Sequence, residues 1–203
     1  MSLCRTTTPG IVERHKDIEQ SHICLGTPAY PHAHPDRHTV YVLNTILGGS
    51  MSSRLFQHIR EERGLAYAVF SHLTTYSDAG TITVYAGCAT EKVGDVVDLT
   101  IAELVSLRDT AVGDDELRRA KDHLKGNLML SLESTSSRMS HLARQELYFG
   151  RHYSLDEALE GIERVSADDI QRVSRDLFRD GALVATTVGP DRGQPLEAGR
   201  LRL

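Results

Sequence analysis

The sequence predicts an α+β domain, with an antiparallel sheet covered mainly on one face by helices. Three observations carry this. Two β-capable runs, residues 66–74 and 81–88, flank the turn-forming segment Tyr76-Ser77-Asp78-Ala79-Gly80, which is hairpin chemistry. After Thr90, apolar residues recur every three or four positions over a long stretch, the spacing of helices with one buried face. A last β-capable run at 182–188 closes the order, so the strict strand–helix alternation of a dinucleotide fold is missing.

Composition agrees. The chain has 203 residues, 40% hydrophobic and 25% charged, which is ordinary globular usage. A chain of this size can bury roughly 70% of its unfolded surface. A formal net charge of −5, with no Trp, seven Tyr and four Phe, speaks against a nucleic-acid partner, which calls for a basic face and stacking platforms. No apolar run approaches the ~18 residues that span a membrane, so no membrane partner is expected. Cys4, Cys24 and Cys88 are sparse, odd in number and free of C-x-x-C spacing. They read as reduced thiols. No apolar h-region follows Met1, so a cytoplasmic location is the default expectation.

The elements follow in order. Residues 1–10 are expected to be a cloning scar or linker, and residues 11–190 a single domain. One or two strands are expected within 11–26, stopping at Gly26-Thr27-Pro28. Residues 28–37 hold three of the six prolines and read as loop. Residues 39–47 are apolar almost all round, so helix and strand remain equally open there. Gly48-Gly49-Ser50 ends that segment. A helix is expected over 52–63, with Leu55, Phe56 and Ile59 as its apolar stripe and Gly64 as its stop. Beyond the hairpin, Val93, Val97, Ile101 and Leu104 form one helical stripe and Leu117, Ala120, Leu124 and Leu128 another. Ser154 to Glu157 and Ser166 to Asp169 have the spacing of capping boxes that open two more helices. Residues 191–203 show no period and are expected to be a flexible tail.

The search for chemistry is mostly negative. There is no P-loop and no G-x-S-x-G elbow. Ten histidines raise the question of a metal. His32, His34 and His38 are grouped, but Pro31 and Pro35 interrupt them and no carboxylate holds a zinc-motif position. They read as an exposed polar loop, with adventitious metal affinity as the lesser alternative. His58 opens a near miss of an inverted zinc motif, with Glu62 where a His would be needed, and is read as a solvent-facing residue. Arg60 and Tyr67 are both hydrogen-bond donors at neutral pH. They lie seven residues apart across Gly64, and two donors converging there can hold a peptide carbonyl or a developing oxyanion.

The block from Leu47-Gly48-Gly49-Ser50 through Ser53-Arg54-Leu55-Phe56 to Ile59-Arg60-Glu61-Glu62-Arg63-Gly64-Leu65-Ala66-Tyr67 resembles one family closely. It is similar to the C-terminal half of the pitrilysin/insulinase/mitochondrial-processing-peptidase family of zinc metallopeptidases, nearest the bacterial processing-peptidase-like members. The likeness continues through Glu116 to Lys121, Leu132 to Thr135, Tyr148 to Arg151 and Val184 to Pro190.

The resemblance implies an α/β roll, one half of a two-half architecture. In such proteins the N-terminal half carries H-x-x-E-H and the zinc, and the C-terminal half closes a substrate chamber. The family's substrate-contacting Arg and Tyr fall on Arg60 and Tyr67. This chain contains no H-x-x-E-H, so no catalytic residue and no metal ligand is carried over. Zinc is expected on the N-terminal half, in the same polypeptide or a separate chain. The leading expectation is therefore a half of a zinc endopeptidase, inactive alone, whose partners are that zinc-binding half and a peptide substrate. The alternative is a non-catalytic peptide-binding or scaffold subunit related to respiratory-complex core proteins. A half of this kind should expose an apolar surface, which makes a homo-oligomer a further expectation.

Overall fold

The computed structural model describes Thr8 and residues 10–203. The linker expected at 1–10 therefore lies almost wholly outside the described residues. Among the described residues, five strands form one sheet in the order β1-β5-β2-β4-β3. They are β1 (Gly10–His15), β2 (Ser21–Ala29), β3 (Ala66–Thr75), β4 (Gly80–Cys88) and β5 (Val184–Gly189). The hairpin β3–β4 is antiparallel, with Phe70 opposite Tyr85 and Thr75 opposite Gly80. Strand β2 pairs antiparallel with both β4 and β5. One pair departs from the expected antiparallel sheet: β1 runs parallel to β5, from Gly10 opposite Val184 to His15 opposite Gly189. These strands lie at opposite ends of the chain, so no hairpin ties them and no local turn sets their direction.

Strand β2 runs on through Pro28 to Ala29, past the expected stop. Its pairing with β5 ends at Gly26, whereas its pairing with β4 continues to Ala29. Pro28 thus sits where β2 has become an edge on one side, a place where a missing N–H is tolerated. The loop starts only at Tyr30.

Period-two alternation gives the sheet one buried face. Ile23, Leu25, Val69, Ile82, Val84 and Ala185 are all within the core. Helices α1 (Arg37–Leu47), α2 (Val93–Asp109) and α6 (Ala167–Leu177) pack on this face. Helices α3 (Asp114–Ser131) and α5 (Leu155–Glu163) lie outside them, and α4 (Thr135–Phe149) lines a cavity together with α1, α3 and α5. The ambiguous segment is thus a helix. It is apolar all round because it lies between sheet and outer helices, with Val40, Val42, Leu43, Ile46 and Leu47 each buried. Both capping boxes are complete: Ser154 and Glu157 open α5, and Ser166 and Asp169 open α6.

Residues 191–203, expected as a flexible tail, pack against the domain. Leu196, Leu201 and Leu203 are buried in the core. Arg192 pairs with Glu13 of β1, and the Leu196 N–H donates to Glu13 at 2.8 Å. Without a periodic apolar pattern, three isolated leucines give no sequence signal of docking.

Candidate functional site

The site is built around the segment between α1 and β3. Two glycines allow it to form. A Cβ on Gly48 would lie 2.4 Å from the Ser71 backbone N and 3.0 Å from the Phe70 carbonyl carbon. A Cβ on Gly49 would lie 2.9 Å from Thr45 Cα. The end of α1 therefore touches the backbone of β3 directly. The Ser71 N–H donates to Gly48 O at 3.1 Å and Ser71 Oγ donates to Asn44 O at 3.0 Å.

The helix expected over 52–63 is shorter and more widely wound. Residues Phe56–Glu61 form a π-helix, with the Glu62 N–H reaching back to Gln57 O at 2.9 Å. Such a wide turn follows tertiary contacts rather than an apolar period. Leu55 and Ile59 are fully buried beneath it. Arg54 makes a bidentate pair with Glu116 of α3, both bonds 2.8 Å, and donates to Ser106 Oγ of α2 at 3.1 Å. The carboxylate bonds outweigh burial and hold the Arg54 guanidinium more firmly in its charged form. His58, read from the sequence as facing solvent, instead meets Glu103 of α2, with Nδ1 and Oε1 2.5 Å apart. It is only 40% exposed, because the wide turn lies flat on α2.

With Leu55 and Ile59 inward and Arg54 and His58 committed to α2 and α3, Arg60 is left on the outer side. It is exposed, with its guanidinium carbon 4.8 Å from the centre of the Phe56 ring. The chain then reverses at Gly64, whose φ of +59° favours glycine. The Gly64 N–H donates to Arg60 O at 3.1 Å and the Leu65 N–H to Ile59 O at 2.9 Å.

Strand β3 starts at once, and its register with β4 slips between Ala66 and Ala68. Tyr67 is the residue in the slip: Ala66 faces Cys88 and Ala68 faces Gly87, leaving Tyr67 without an opposite number. Tyr67 is 62% exposed. The two predicted substrate-contact residues thus flank one tight reversal, on the outer edge of the sheet, and neither serves the core. The sequence singles out this pair as candidates but not the ion pairs beside it. Arg54 and Glu116 each lie in a block that carries the family likeness, yet nothing in the sequence pairs them across 62 positions.

The histidine cluster does not converge. His32 Nδ1 bonds Thr75 Oγ1 at 2.8 Å. His34 stacks on Tyr30 with ring centres 3.8 Å apart, and its Nδ1 accepts from the Asp36 N–H at 3.1 Å. His38 lies on α1, half-buried, and burial with Arg37 beside it pushes its imidazole down to about 4. All three are half-buried, not exposed, because aromatic neighbours cover the loop. Among the described residues no group of three or more His, Cys, Asp or Glu side chains is arranged to hold a metal ion. The residues present do not fit the zinc of the resembling family. Cys24 and Cys88 are free thiols; burial pushes Cys88 up to about 11, which keeps it protonated and unreactive.

Residues 1–124 match the family described as the peptidase M16 inactive domain. The chain belongs to that family. The M16 inactive domain is 38% identical over 182 residues to a Bacillus subtilis protein named uncharacterized zinc protease YmxG, covering 90% of this chain and 44% of that protein. It is 40% identical over 190 residues to a Mycobacterium tuberculosis protein also named an uncharacterized zinc protease, covering 93% of this chain and 43% of the other. The domain therefore spans less than half the length of these relatives.

Solved structures share its fold. A peptidase M16 inactive domain from Pseudomonas fluorescens superposes with a TM-score of 0.83 at 21% identity, over 93% of this chain and 45% of the other. A chain of complex III from Candida albicans does so with a TM-score of 0.83 at 21% identity, over 95% and 48%. No described helix is long and apolar enough to cross a membrane.

Proposed function

We propose that this M16 inactive domain closes one side of the substrate chamber of a zinc endopeptidase, and that Arg60 and Tyr67 contact the bound peptide near the scissile bond. The observation that carries the reading is the pair itself. Two donors stand exposed on either side of Gly64, on an edge held in place by Arg54–Glu116 and His58–Glu103. A site whose supports are committed to the scaffold while its donors stay free is arranged for a ligand.

The zinc expected on an N-terminal half would supply Lewis acidity and an activated water. This chain's own part is positional. The Arg60 guanidinium and the Tyr67 hydroxyl donate to the peptide backbone, or to the oxygen that gains charge as the bond breaks. The domain alone should be inactive.

The test combines the chain with an H-x-x-E-H-bearing half and follows cleavage of a quenched fluorescent peptide. The chain alone should give no cleavage and the pair should give activity. Arg60→Ala and Tyr67→Phe should each lose roughly 10–1000-fold in rate if they act as oxyanion donors. Unchanged kinetics in both variants defeats the role. A second reading, a non-catalytic scaffold subunit, is favoured by the fold likeness to the complex III chain. It predicts that no zinc-bearing half restores activity.

A further inference from the structure

Away from the π-turn, the helical layer encloses a cavity of about 300 Å³. Its walls are apolar where Leu124 and Leu128 of α3, Phe149 of α4 and Ile162 of α5 meet. Its polar lining comprises Arg37 and Arg144, three imidazoles (His32, His38 and His141), Gln145 and two tyrosines. Among the described residues no carboxylate lines it.

The two guanidiniums, Arg37 half-buried and Arg144 exposed to solvent, have no ion-pair partner among the described residues. Arg37 lies over aromatic faces, 5.1 Å from the Phe149 ring centre and 5.0 Å from that of Tyr153. Those contacts orient a cation without spending its N–H donors on an acceptor. Arg144 donates from Nε to Ser140 O of its own helix at 3.3 Å. Neither has a carboxylate partner among the described residues.

The neighbours register the resulting field. Burial first, then Arg144 and Arg37, push the His32 imidazole down. Burial and Arg37 do the same to His38, and burial and Arg144 to His141. The imidazoles are therefore neutral near pH 7 and add no cation of their own. His32 Nδ1 is already bonded to Thr75, and His141 Nε2 lies 2.7 Å from Gln145 Nε2. The two guanidiniums are the cationic donors that face the cavity, beside the neutral His38 imidazole and the Tyr41 hydroxyl.

A cavity with apolar walls, two unpaired cations at its polar side and no carboxylate is suited to an anion with an apolar body. The guanidinium fork matches a planar carboxylate better than any neutral group, and the volume lies at the small end of ligand sites. We propose that this cavity binds a carboxylate borne on an apolar body, with the carboxylate between Arg37 and Arg144 and the body against Leu124, Leu128, Phe149 and Ile162. A free aliphatic or arylalkyl acid and the C-terminus of a peptide ending in an apolar residue share this chemistry. The site draws on α1, α3, α4 and α5 and on none of the residues around Gly64, so it stands independently of the role given to Arg60 and Tyr67.

The test titrates the whole chain with octanoate, with hydrocinnamate, and with the neutral hydrocinnamamide. Binding is read by calorimetry and by imidazole NMR signals of His32, His38 and His141. Both acids should move these signals saturably and the amide should not. Arg144→Gln, at an exposed position, should weaken the acids by roughly tenfold or more with the melting temperature unchanged. Ala158→Leu, which grows into the cavity, should weaken them as well. A blocked tripeptide ending in Phe, compared as free acid and as amide, assigns the source: tighter binding than hydrocinnamate points to a peptide terminus, weaker binding to a free acid. Equal response to acid and amide, undiminished binding in Arg144→Gln, or no saturable binding at millimolar acid overturns the proposal.

Discussion

Replacing Gly48 by Ala tests the architecture that presents the Arg60–Tyr67 edge. Gly48 has φ −158° and ψ 13°, outside the left-handed region that demands glycine. Alanine therefore avoids the left-handed penalty there, and the entropic gain of Gly→Ala at a compatible position is at most about 0.4–1 kcal/mol. The close approach reverses the sign. The new methyl would lie 2.4 Å from Ser71 N and 2.9 Å from Ser71 Oγ, and a backbone atom cannot swing aside as a side chain can. Strand β3 is an edge strand paired only to β4, so it yields by moving outward. That loses the Ser71 N–H···O=C Gly48 bond, worth about 1 kcal/mol net, and adds overpacking of about 1–3 kcal/mol.

The expected result is a loss of roughly 2–3 kcal/mol once the entropic gain is set against it. Urea unfolding of the chain, followed by far-UV circular dichroism with a common m-value, measures it. Gly126→Ala in α3 is the control, since nothing lies within 4 Å of its new methyl, and it should stabilise by about 0.8–1 kcal/mol. A Gly48→Ala variant as stable as the parent would refute the claim that α1 is clamped onto β3.

Three further outcomes follow from the same geometry. A double-mutant cycle of Arg54→Met and Glu116→Leu should give a coupling energy of about 1–2 kcal/mol in urea unfolding, between the values for exposed and buried pairs, because the side chains are 13% and 25% exposed. The His38 imidazole is pushed down from 6.5 to about 4 in the folded chain, so between these values the unfolded chain binds more protons and stability rises with pH. Its share is fully present above about pH 6.5 and lost towards pH 4. After discounting for partial exposure it is about 1–2 kcal/mol, and His38→Gln should flatten that part of a stability-versus-pH curve. Arg60→Ala and Tyr67→Phe should leave the unfolding midpoint within about 0.5 kcal/mol of the parent, measured alongside the peptidase assay, because neither side chain serves the core.

What was legible in the sequence was local. The alternation of Thr81-Ile82-Thr83-Val84-Tyr85 and the turn residues before it gave the hairpin. The spacing of Ser166 and Asp169 gave the start of α6. What was not legible depends on contacts between distant segments. The parallel pairing of β1 and β5 joins residues more than 170 positions apart. The choice of helix for residues 39–47 depends on burial from two sides, which removes the polar face that shows a period. The π-helix at Phe56–Glu61 meets Glu103 of α2 through His58, and Arg54 just before it pairs with Glu116 of α3. Of the candidate site, the residue types and the glycine reversal could be read. The bulge that lifts Tyr67 out of the ladder could not, because nothing in its local sequence sets the register of β3 on β4.

The most direct test of the central claim is a photocrosslink from position 67. The photoreactive p-benzoylphenylalanine replaces Tyr67 in the chain, the chain is combined with its zinc-bearing half, and a non-cleavable peptide is bound before irradiation. Position 152, an exposed histidine beyond α4, serves as the control. The account predicts a crosslink to the peptide from position 67, absent from position 152 and abolished by excess unlabelled peptide. Peptide attachment no greater at 67 than at 152, in a complex shown to hold peptide, would contradict it.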